Sequence, residues 1–244
     1  MSWRYAVIGY GFIGRRHVKT LKEFEGADCV AVCDRNPVRL REVKELYPEM
    51  EVYESADELF AKTDLDGVII SANNNQHKEL VIKAARAGKD IICEKPAALT
   101  VAELDEMTAE VEKAGVKFTV HQQRRFDKDF QCVKECYDKQ LVGNIYTIQS
   151  SLYGYNGNMH DWHVFRDEGG GMLYDWGVHL IDQILYMVDS RLVSVFADVR
   201  NVINKEVDDY FKIILRFENQ VTAEIELGTY FLSNRPDWFN VTGM

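Results

Sequence analysis

The sequence predicts an α/β protein of two domains, a doubly wound parallel sheet in residues 1–121 and an α+β domain with a large, mostly antiparallel open sheet in residues 122–244. Three observations predict this class. Short β-branched runs alternate with amphipathic stretches in the first half, and long alternating strands follow one another in the second. The 244 residues, 46% of them hydrophobic, are enough to bury two cores.

The first domain is predicted from apolar runs separated by stretches of helical periodicity. The strands are Tyr5–Ile8, Cys29–Cys33, Val68–Ser71, Asp90–Cys93 and Lys117–Val120. Capping boxes begin at Ser55 and Thr100, and Gly88 and Gly115 stand where helices end. Strands joined by helices in this way form a parallel sheet with both faces covered.

The second domain is predicted to begin after residue 121, where the pattern changes. A helix, a strand and a second helix are expected at Phe126–Lys139, Asn144–Leu152 and Met172–Val188. Three alternating strands follow, at Leu192–Val199, Tyr210–Glu218 and Val221–Phe231. The short turn between the last two predicts antiparallel pairing.

Composition argues against several kinds of partner. The net charge of −10, without a basic cluster, disfavours nucleic acid. No apolar run approaches the ~20 residues of a membrane span, so we expect a cytoplasmic protein with no membrane partner. The five cysteines form no Cys-x-x-Cys pair and fit reduced thiols. Cys132 and Cys136 are expected to be buried, with metal ligation as the alternative.

A glycine-rich turn after the first strand is predicted to bind the pyrophosphate of a dinucleotide. Gly9, Gly11 and Gly14 form Gly-x-Gly-x-x-Gly, and Phe12 and Ile13 lie between the last two. Gly9 allows a tight turn, Gly11 lets the backbone approach the phosphates, and Gly14 lets the helix pack on its strand. The helix N-terminus offers its N–H groups to the phosphates. An ordinary glycine-rich turn is the alternative.

The end of the second strand carries residues that bear on the choice of cofactor. A carboxylate at Asp34 can accept hydrogen bonds from the adenosine ribose, which favours NAD. The adjacent Arg35 leaves NADP open, because a guanidinium can pair with a 2′-phosphate or stack on adenine. We therefore expect NAD, with NADP as the alternative.

Three further motifs make the whole sequence resemble the Gfo/Idh/MocA (glucose-fructose oxidoreductase / inositol dehydrogenase) family. They are Glu94-Lys95-Pro96, Gln123-Arg124-Arg125-Phe126 and the run from Gly169 to Asp182. The resemblance implies a Rossmann domain followed by a domain with a large, mostly antiparallel sheet. It also implies transfer of hydride between NAD(P) and a hydroxyl carbon of a sugar, cyclitol or related polyol.

The resemblance assigns catalytic roles to Lys95, Asp175 and His179. The Lys95 ammonium would stabilise alkoxide character on the substrate oxygen, and His179 would take the hydroxyl proton. Asp175 would orient His179 or hold the substrate, with Asp182 in support. An exposed lysine in a turn and a structural histidine are the alternatives. The interpretation requires Lys95 and His179 to act on one carbinol.

The segment Ser71–His77 resembles the family's Thr-Pro-Asn-x-x-His loop, which lies beside the nicotinamide. Asn74 and His77 match that loop, while Ala72 and Asn73 depart from it. The resemblance therefore adds further residues to the predicted cofactor site, namely Asn74, His77, Glu94 and Lys95. A local helix cap is the alternative for Asn74.

The segment Tyr153–His163 is expected to lie over the substrate, because aromatic faces pack on sugar rings and polar side chains bind hydroxyls. The expected substrate contacts are Lys95, Arg125, Tyr153, Trp162, His163, Asp175 and His179. The spacing of His160, Asp161 and His163 permits a metal ion, but we expect none.

Two other functions and the state of assembly stay open at this point. A relative that retains NAD could use transient oxidation to cleave a glycoside, and an inactive relative could act as a dinucleotide-binding regulator. Family members usually continue well beyond the position of Met244. We therefore expect a truncated second domain whose sheet pairs with another copy in a dimer or tetramer, or else a fragment of a longer protein.

Overall fold

The computed structural model describes residues 2–154, 157 and 159–231, and the backbone of residues 238–243. The chain divides into two compact units, Met1–His121 and Gln122–Met244. Each unit has its own sheet and its own hydrophobic core. In the described part of the chain, no helix has both the length and the apolar character that a membrane crossing requires.

The first unit is a six-stranded parallel sheet with helices between its strands. Its strands are β1 Trp3–Ile8, β2 Ala27–Cys33, β3 Glu51–Tyr53, β4 Gly67–Ile70, β5 Asp90–Glu94 and β6 Phe118–His121. Its helices are α1 Phe12–Glu23, α2 Pro37–Leu46, α3 Ala56–Lys62, α4 His77–Arg86 and α5 Val101–Ala114. The strand order β3-β2-β1-β4-β5-β6 reverses beside β1, which is the point where such sheets bind ligands.

Burial explains why these residues form a parallel sheet. Every residue of β4 is buried, as expected of a strand covered on both faces. Two hydrophobic clusters contain buried residues of the sheet, one with residues of α3–α5 and the other with residues of α1 and α2. The doubly wound fold is therefore confirmed. The short edge strand β3 was not predicted, because three residues are too few to show a period.

Helix boundaries in this unit follow local chemistry. The Ser55 side chain accepts a hydrogen bond from the Asp57 N–H, and Thr100 accepts one from the Glu103 N–H. Gly115 ends α5 with a φ of 67°, a left-handed conformation that costs glycine little. The predicted capping positions are thus where helices begin and end.

The second unit is a five-stranded sheet in the order β11-β7-β10-β9-β8. Its strands are β7 Ile145–Tyr153, β8 Leu192–Arg200, β9 Tyr210–Phe217, β10 Thr222–Gly228 and β11 Trp238–Gly243. Neighbouring strands are antiparallel except β7 and β10, which are parallel, so the mostly antiparallel sheet is confirmed. Its helices are α6 Lys128–Asp138 and α7 Val178–Met187. Side chains of α7, including Leu180 and Ile184, join buried sheet residues in one core.

The predicted helix Met172–Val188 differs in its first turn. Residues Leu173–Gly177 form a π-helical turn, and regular α-helix begins only at α7. The Leu173 N–H donates to the Asp208 carboxylate at 2.7 Å, which anchors the start of this turn outside the helix. Single π turns often occur at functional sites, and this one contains Asp175.

The cysteines differ in exposure. All five are free thiols, but Cys132 is exposed and Cys136 is only partly buried, so the prediction that both are buried was wrong. Phe130 fills the buried face of α6, which leaves Cys132 on the outside. In the first unit, burial raises the pKa of Cys29 and of Cys33 to about 12, which keeps these thiols protonated at neutral pH.

Candidate functional site

The three glycines of the turn between β1 and α1 differ in how much space a side chain would find at each position. Gly9 has a φ of +96°, and a Cβ there would lie 2.6 Å from the Ser71 carbonyl. A Cβ on Gly14 would lie 1.9 Å from the Gly9 oxygen, so the turn itself requires both glycines. A Cβ on Gly11 would meet no heavy atom within 4 Å. Open space at that point fits the close approach of a pyrophosphate to the backbone.

Helix α1 begins directly at this turn. Gly11 is its N-cap and supplies no side-chain hydrogen bond to the first N–H groups. An anion can satisfy such groups, and the helix dipole favours negative charge there. Phe12 is exposed beneath the Arg16 guanidinium, which lies 4.3 Å from the centre of its ring, and Ile13 is half-buried.

The carboxylate of Asp34 is buried at the end of β2 and supports the glycine turn. It accepts hydrogen bonds from the Tyr10 N–H at 2.6 Å, the Asn36 N–H at 2.8 Å and the Arg39 guanidinium at 3.1 Å. A carboxylate has about four acceptor positions, so a ribose hydroxyl can use the remaining one or replace Arg39. Arg35 is exposed. Arg39 was not predicted, since nothing in its spacing links it to Asp34.

A single imidazole links the loops that follow β4 and β5. His77 is fully buried, with Nδ1 at 2.7 Å from the Pro96 oxygen and Nε2 at 3.0 Å from the Ala72 oxygen. Burial lowers the pKa of His77, and the two carbonyl acceptors oppose that effect. Asn74 is buried in a 3-10 turn of the same loop. The contacts of His77 favour a role in positioning the loops rather than contact with a cofactor.

The motif Glu94-Lys95-Pro96 lies at the carboxyl end of β5. The buried Glu94 carboxylate has one oxygen, Oε1, at 2.7 Å from both His17 Nε2 and His121 Nδ1. Burial alone would raise the pKa of Glu94, but the hydrogen bonds from His121 and His17 outweigh it and lower the pKa to about 2. Lys95 follows, half-buried, and is joined to Pro96 by a cis peptide bond.

In the second unit, His179 is buried in the first turn of α7 and is held by Gln122. Its Nδ1 lies 2.5 Å from the Gln122 amide oxygen, while the Gln122 amide nitrogen donates to the Val178 oxygen at 3.2 Å. The second bond fixes the orientation of the amide. Because an amide oxygen only accepts, Nδ1 carries the hydrogen and Nε2 is the nitrogen that can take a proton. Gln122 was not predicted, because 57 residues separate it from His179.

Three of the predicted substrate residues form one cluster. His163 Nε2 lies 3.9 Å from the Asp175 carboxylate, and the Trp162 ring stacks on the His163 ring with centroids 3.9 Å apart. All three side chains are partly exposed, as a binding surface requires. Of the same predicted loop, residues 155, 156 and 158 lie outside the described part of the chain.

Two other predicted substrate residues are engaged within the second unit. The Arg125 guanidinium makes two hydrogen bonds to Asp182, at 2.7 and 2.6 Å, and lies over the Tyr186 ring. The Tyr153 hydroxyl donates to Glu226 at 2.7 Å, and its ring stacks on Phe231. These contacts favour a positioning role for both residues, and Asp182 supports Arg125 rather than His179.

Comparison with known proteins covers nearly the whole chain. A family model described as "Oxidoreductase family, NAD-binding Rossmann fold" matches residues 3–122, and one described as "GFO/IDH/MocA C-terminal domain" matches residues 130–244. Among solved structures, an NAD-binding protein from Listeria innocua is 35% identical with a TM-score of 0.94; the match covers 100% of this chain and 71% of that one.

Two curated relatives carry different activities in their names. Myo-inositol 2-dehydrogenase of Thermotoga maritima is 31% identical over 228 residues, which is 91% of this chain and 67% of that protein. The 2,7-anhydro-N-acetylneuraminate hydratase of Mediterraneibacter gnavus is 29% identical over 234 residues, which is 93% of this chain and 63% of that protein. The chain thus spans about two thirds of the length of these relatives.

Proposed function

Because the chain belongs to the Gfo/Idh/MocA oxidoreductase family and has its NAD-binding Rossmann domain, we propose that it transfers hydride between NAD and a hydroxyl carbon of a sugar, cyclitol or related polyol. The observation that carries the proposal is the contact between His179 Nδ1 and the Gln122 amide oxygen, which prepares Nε2 as a base. NADP is the second cofactor to be tested.

The proposed chemistry divides among a few side chains. A nicotinamide cofactor held by the glycine turn and Asp34 would supply the acceptor for a hydride from the carbinol carbon. His179 Nε2 takes the hydroxyl proton, and the imidazolium then makes a stronger, charge-assisted hydrogen bond to Gln122. The Lys95 ammonium stabilises the negative charge that grows on the substrate oxygen. His163 and Asp175, with Trp162 stacked on His163, bind the other hydroxyl groups.

Each domain has a proposed role. Residues 1–121 bind the cofactor through the glycine turn, Asp34 and the loops that His77 links. Residues 122–244 bind the substrate and form the contact between copies. The division of the chain into two compact units after His121 supports this proposed boundary.

The direct test follows the absorbance of reduced cofactor while sugars, cyclitols and sugar acids are screened with NAD and with NADP. We expect reduced cofactor to form with at least one polyol, and its formation to be at least about 100-fold slower in the His179→Ala variant. Failure of every substrate to reduce either cofactor, in protein that binds NAD, would contradict the proposed reaction.

A second candidate function is cleavage or hydration through transient oxidation, with NAD retained. The observation that favours it is the relative named as a hydratase, since addition of water involves no net redox change. The same screen separates the two functions when products are also analysed by mass spectrometry. Product without net reduced cofactor supports the second function, and stoichiometric reduced cofactor supports the first.

Asp34→Ala is expected to weaken NAD binding by about tenfold or more, because hydrogen bonds to charged groups contribute about 1.5–3 kcal/mol. NADP binding should fall less, since the variant also removes a charge that repels a 2′-phosphate. Fluorescence titration with both cofactors gives the two ratios. Asp34→Asn keeps one acceptor oxygen, removes the charge and replaces the other oxygen with an NH2 donor, so its effect should lie between those of the wild type and Asp34→Ala. Equal losses for NAD and NADP in Asp34→Ala would remove Asp34 from cofactor selection.

Strand β8 supports the proposed assembly into a dimer or tetramer. It is an edge strand in which no residue is buried, although it carries Val193, Val195, Phe196 and Val199. Exposed apolar strands at a sheet edge favour pairing with another chain. We therefore propose that this sheet supplies the contact between copies.

Phe196→Lys is expected to shift the protein from oligomer to monomer in sedimentation experiments, because it places a charge on the apolar strand. The matched control is Phe24→Lys, which replaces a phenylalanine of similar exposure, 63% against 60%, in the first unit. A wild-type protein that is monomeric at micromolar concentration would refute the assembly, and equal effects of both variants would remove β8 from the contact.

A further inference from the structure

We propose that His17, Glu94 and His121 form a binding site for a divalent transition-metal ion of the zinc type. The three residues come from α1, the end of β5 and the end of β6, all in the first unit. From the sequence no metal was expected, and the spacing that permitted one was that of His160, Asp161 and His163. The site goes beyond the proposed function, because hydride transfer as described above makes no use of it.

The three side chains present one ligand atom each toward a common point. His17 Nε2, Glu94 Oε1 and His121 Nδ1 all lie within 4.8 Å of one another, and each nitrogen is 2.7 Å from Oε1. The two imidazoles meet edge to face with centroids 4.9 Å apart. Among the described residues, no other group of three His, Cys, Asp or Glu side chains converges in this way.

The burial of the cluster suits an ion that keeps one open position. The side chains of His17 and Glu94 are 12% and 8% exposed, whereas that of His121 is 38% exposed. The carboxylate is therefore shielded from water, while the His121 side leaves a path for an ion and room for a water ligand. Three protein ligands with an open fourth position are the usual set at catalytic and exchangeable zinc sites.

Ligand chemistry selects the class of ion. Two imidazoles and one carboxylate suit Zn²⁺, Co²⁺ or Ni²⁺, whereas Mg²⁺ and Ca²⁺ require oxygen ligands. In the metal-free arrangement each imidazole donates its hydrogen to Oε1. On binding, that hydrogen moves to the other ring nitrogen and the vacated lone pair meets the ion, so neutral imidazoles lose no proton. In a tetrahedral site, bonds of about 2.0–2.2 Å place the ligand atoms about 3.3–3.6 Å apart, so each nitrogen would move about 0.6–0.9 Å away from Oε1.

The negative charge of the buried Glu94 carboxylate favours binding of a cation. Buried charges in proteins are paired or bind metals, and the Glu94 carboxylate is hydrogen-bonded to two imidazoles, which carry no permanent charge. A divalent ion would neutralise the carboxylate and leave both rings neutral. It would also tie the helix that follows the glycine turn to the strand that ends beside Lys95.

The test titrates chelator-treated protein with Co²⁺ and Zn²⁺ chlorides. We expect calorimetry to show one Zn²⁺ bound per chain. Bound Co²⁺ should give the visible absorption typical of a low coordination number, and either ion should raise the Tm. His17→Asn, Glu94→Gln and His121→Gln should each weaken Zn²⁺ binding at least tenfold. The control His160→Gln removes an exposed histidine outside the cluster and should leave Zn²⁺ binding unchanged.

Each variant is first checked by circular dichroism. His121→Gln is expected to fold, since its side chain is partly exposed, and it keeps the test valid if a change at buried Glu94 disturbs the unit. The absence of stoichiometric binding in the wild type would overturn the site. So would unchanged binding in folded His121→Gln, or loss of binding in His160→Gln. Because the readout is binding of the ion, the result stands whether or not the dehydrogenase activity is found.

Discussion

His179→Ala should lower kcat by about 10²–10⁴-fold, the usual contribution of a positioned general base. NAD binding should be nearly unchanged, because the residues proposed to bind NAD are those of the glycine turn and Asp34 and do not include His179. Steady-state kinetics on the best polyol and fluorescence titration with NAD measure the two effects. Turnover equal to that of the wild type would exclude His179 as the base.

The companion variant for this prediction is Gln122→Leu, which removes the oxygen that holds His179 Nδ1. His179 is still present in this variant, but nothing at position 122 favours the tautomer with its hydrogen on Nδ1. We therefore expect kcat to fall while KM stays close to its wild-type value. A purely structural role for Gln122 would instead lower stability and leave kcat per folded molecule unchanged. Thermal unfolding of both variants distinguishes these outcomes.

Gly11→Ala is expected to abolish tight NAD binding in a protein that still folds. No heavy atom lies within 4 Å of the added Cβ, and the φ of −77° is open to alanine. The methyl group would occupy the space that the pyrophosphate needs, so affinity should fall at least tenfold, or about 1.4 kcal/mol. Calorimetric titration with NAD measures the loss, and the Tm should match that of the wild type.

Gly14→Ala provides the contrast. Its Cβ would lie 1.9 Å from the Gly9 oxygen, so the helix must move away from its strand. Overpacking of this kind costs about 1–3 kcal/mol and often more, and the Tm should fall accordingly. Wild-type affinity for NAD in Gly11→Ala would show that the glycine turn does not hold the pyrophosphate.

The elements of both sheets could be predicted mainly where a local signal was strong. The alternation in Tyr210–Phe217 and the fully apolar Gly67–Ile70 each show a strand without reference to any partner. The three residues of β3 and the π turn around Asp175 could not be predicted in this way. The N–H of Leu173, at the start of the π turn, donates to Asp208, which lies 35 residues further along the chain.

In the candidate site, too, features with a local sequence signal could be predicted and contacts between distant residues could not. Gly9, Lys95 and His179 could be identified because each lies in a short sequence motif. The residues that contact such side chains are distant in the sequence. Gln122 and His179 are 57 residues apart, and His17 and Glu94 are 77 apart. Such pairs are created by strand order and helix packing, which a single sequence does not show.

The parallel pairing of β7 with β10 bears on the order in which the molecule is made. Residues 147 and 222 are partners, and α7, β8 and β9 all lie between them in the chain. A ribosome must therefore release most of the second unit before its central ladder can close, whereas β1, β2 and β4 of the first unit pair over shorter loops. During synthesis the first unit is therefore expected to fold first. The second unit, which contains His179, is expected to fold afterwards as a whole.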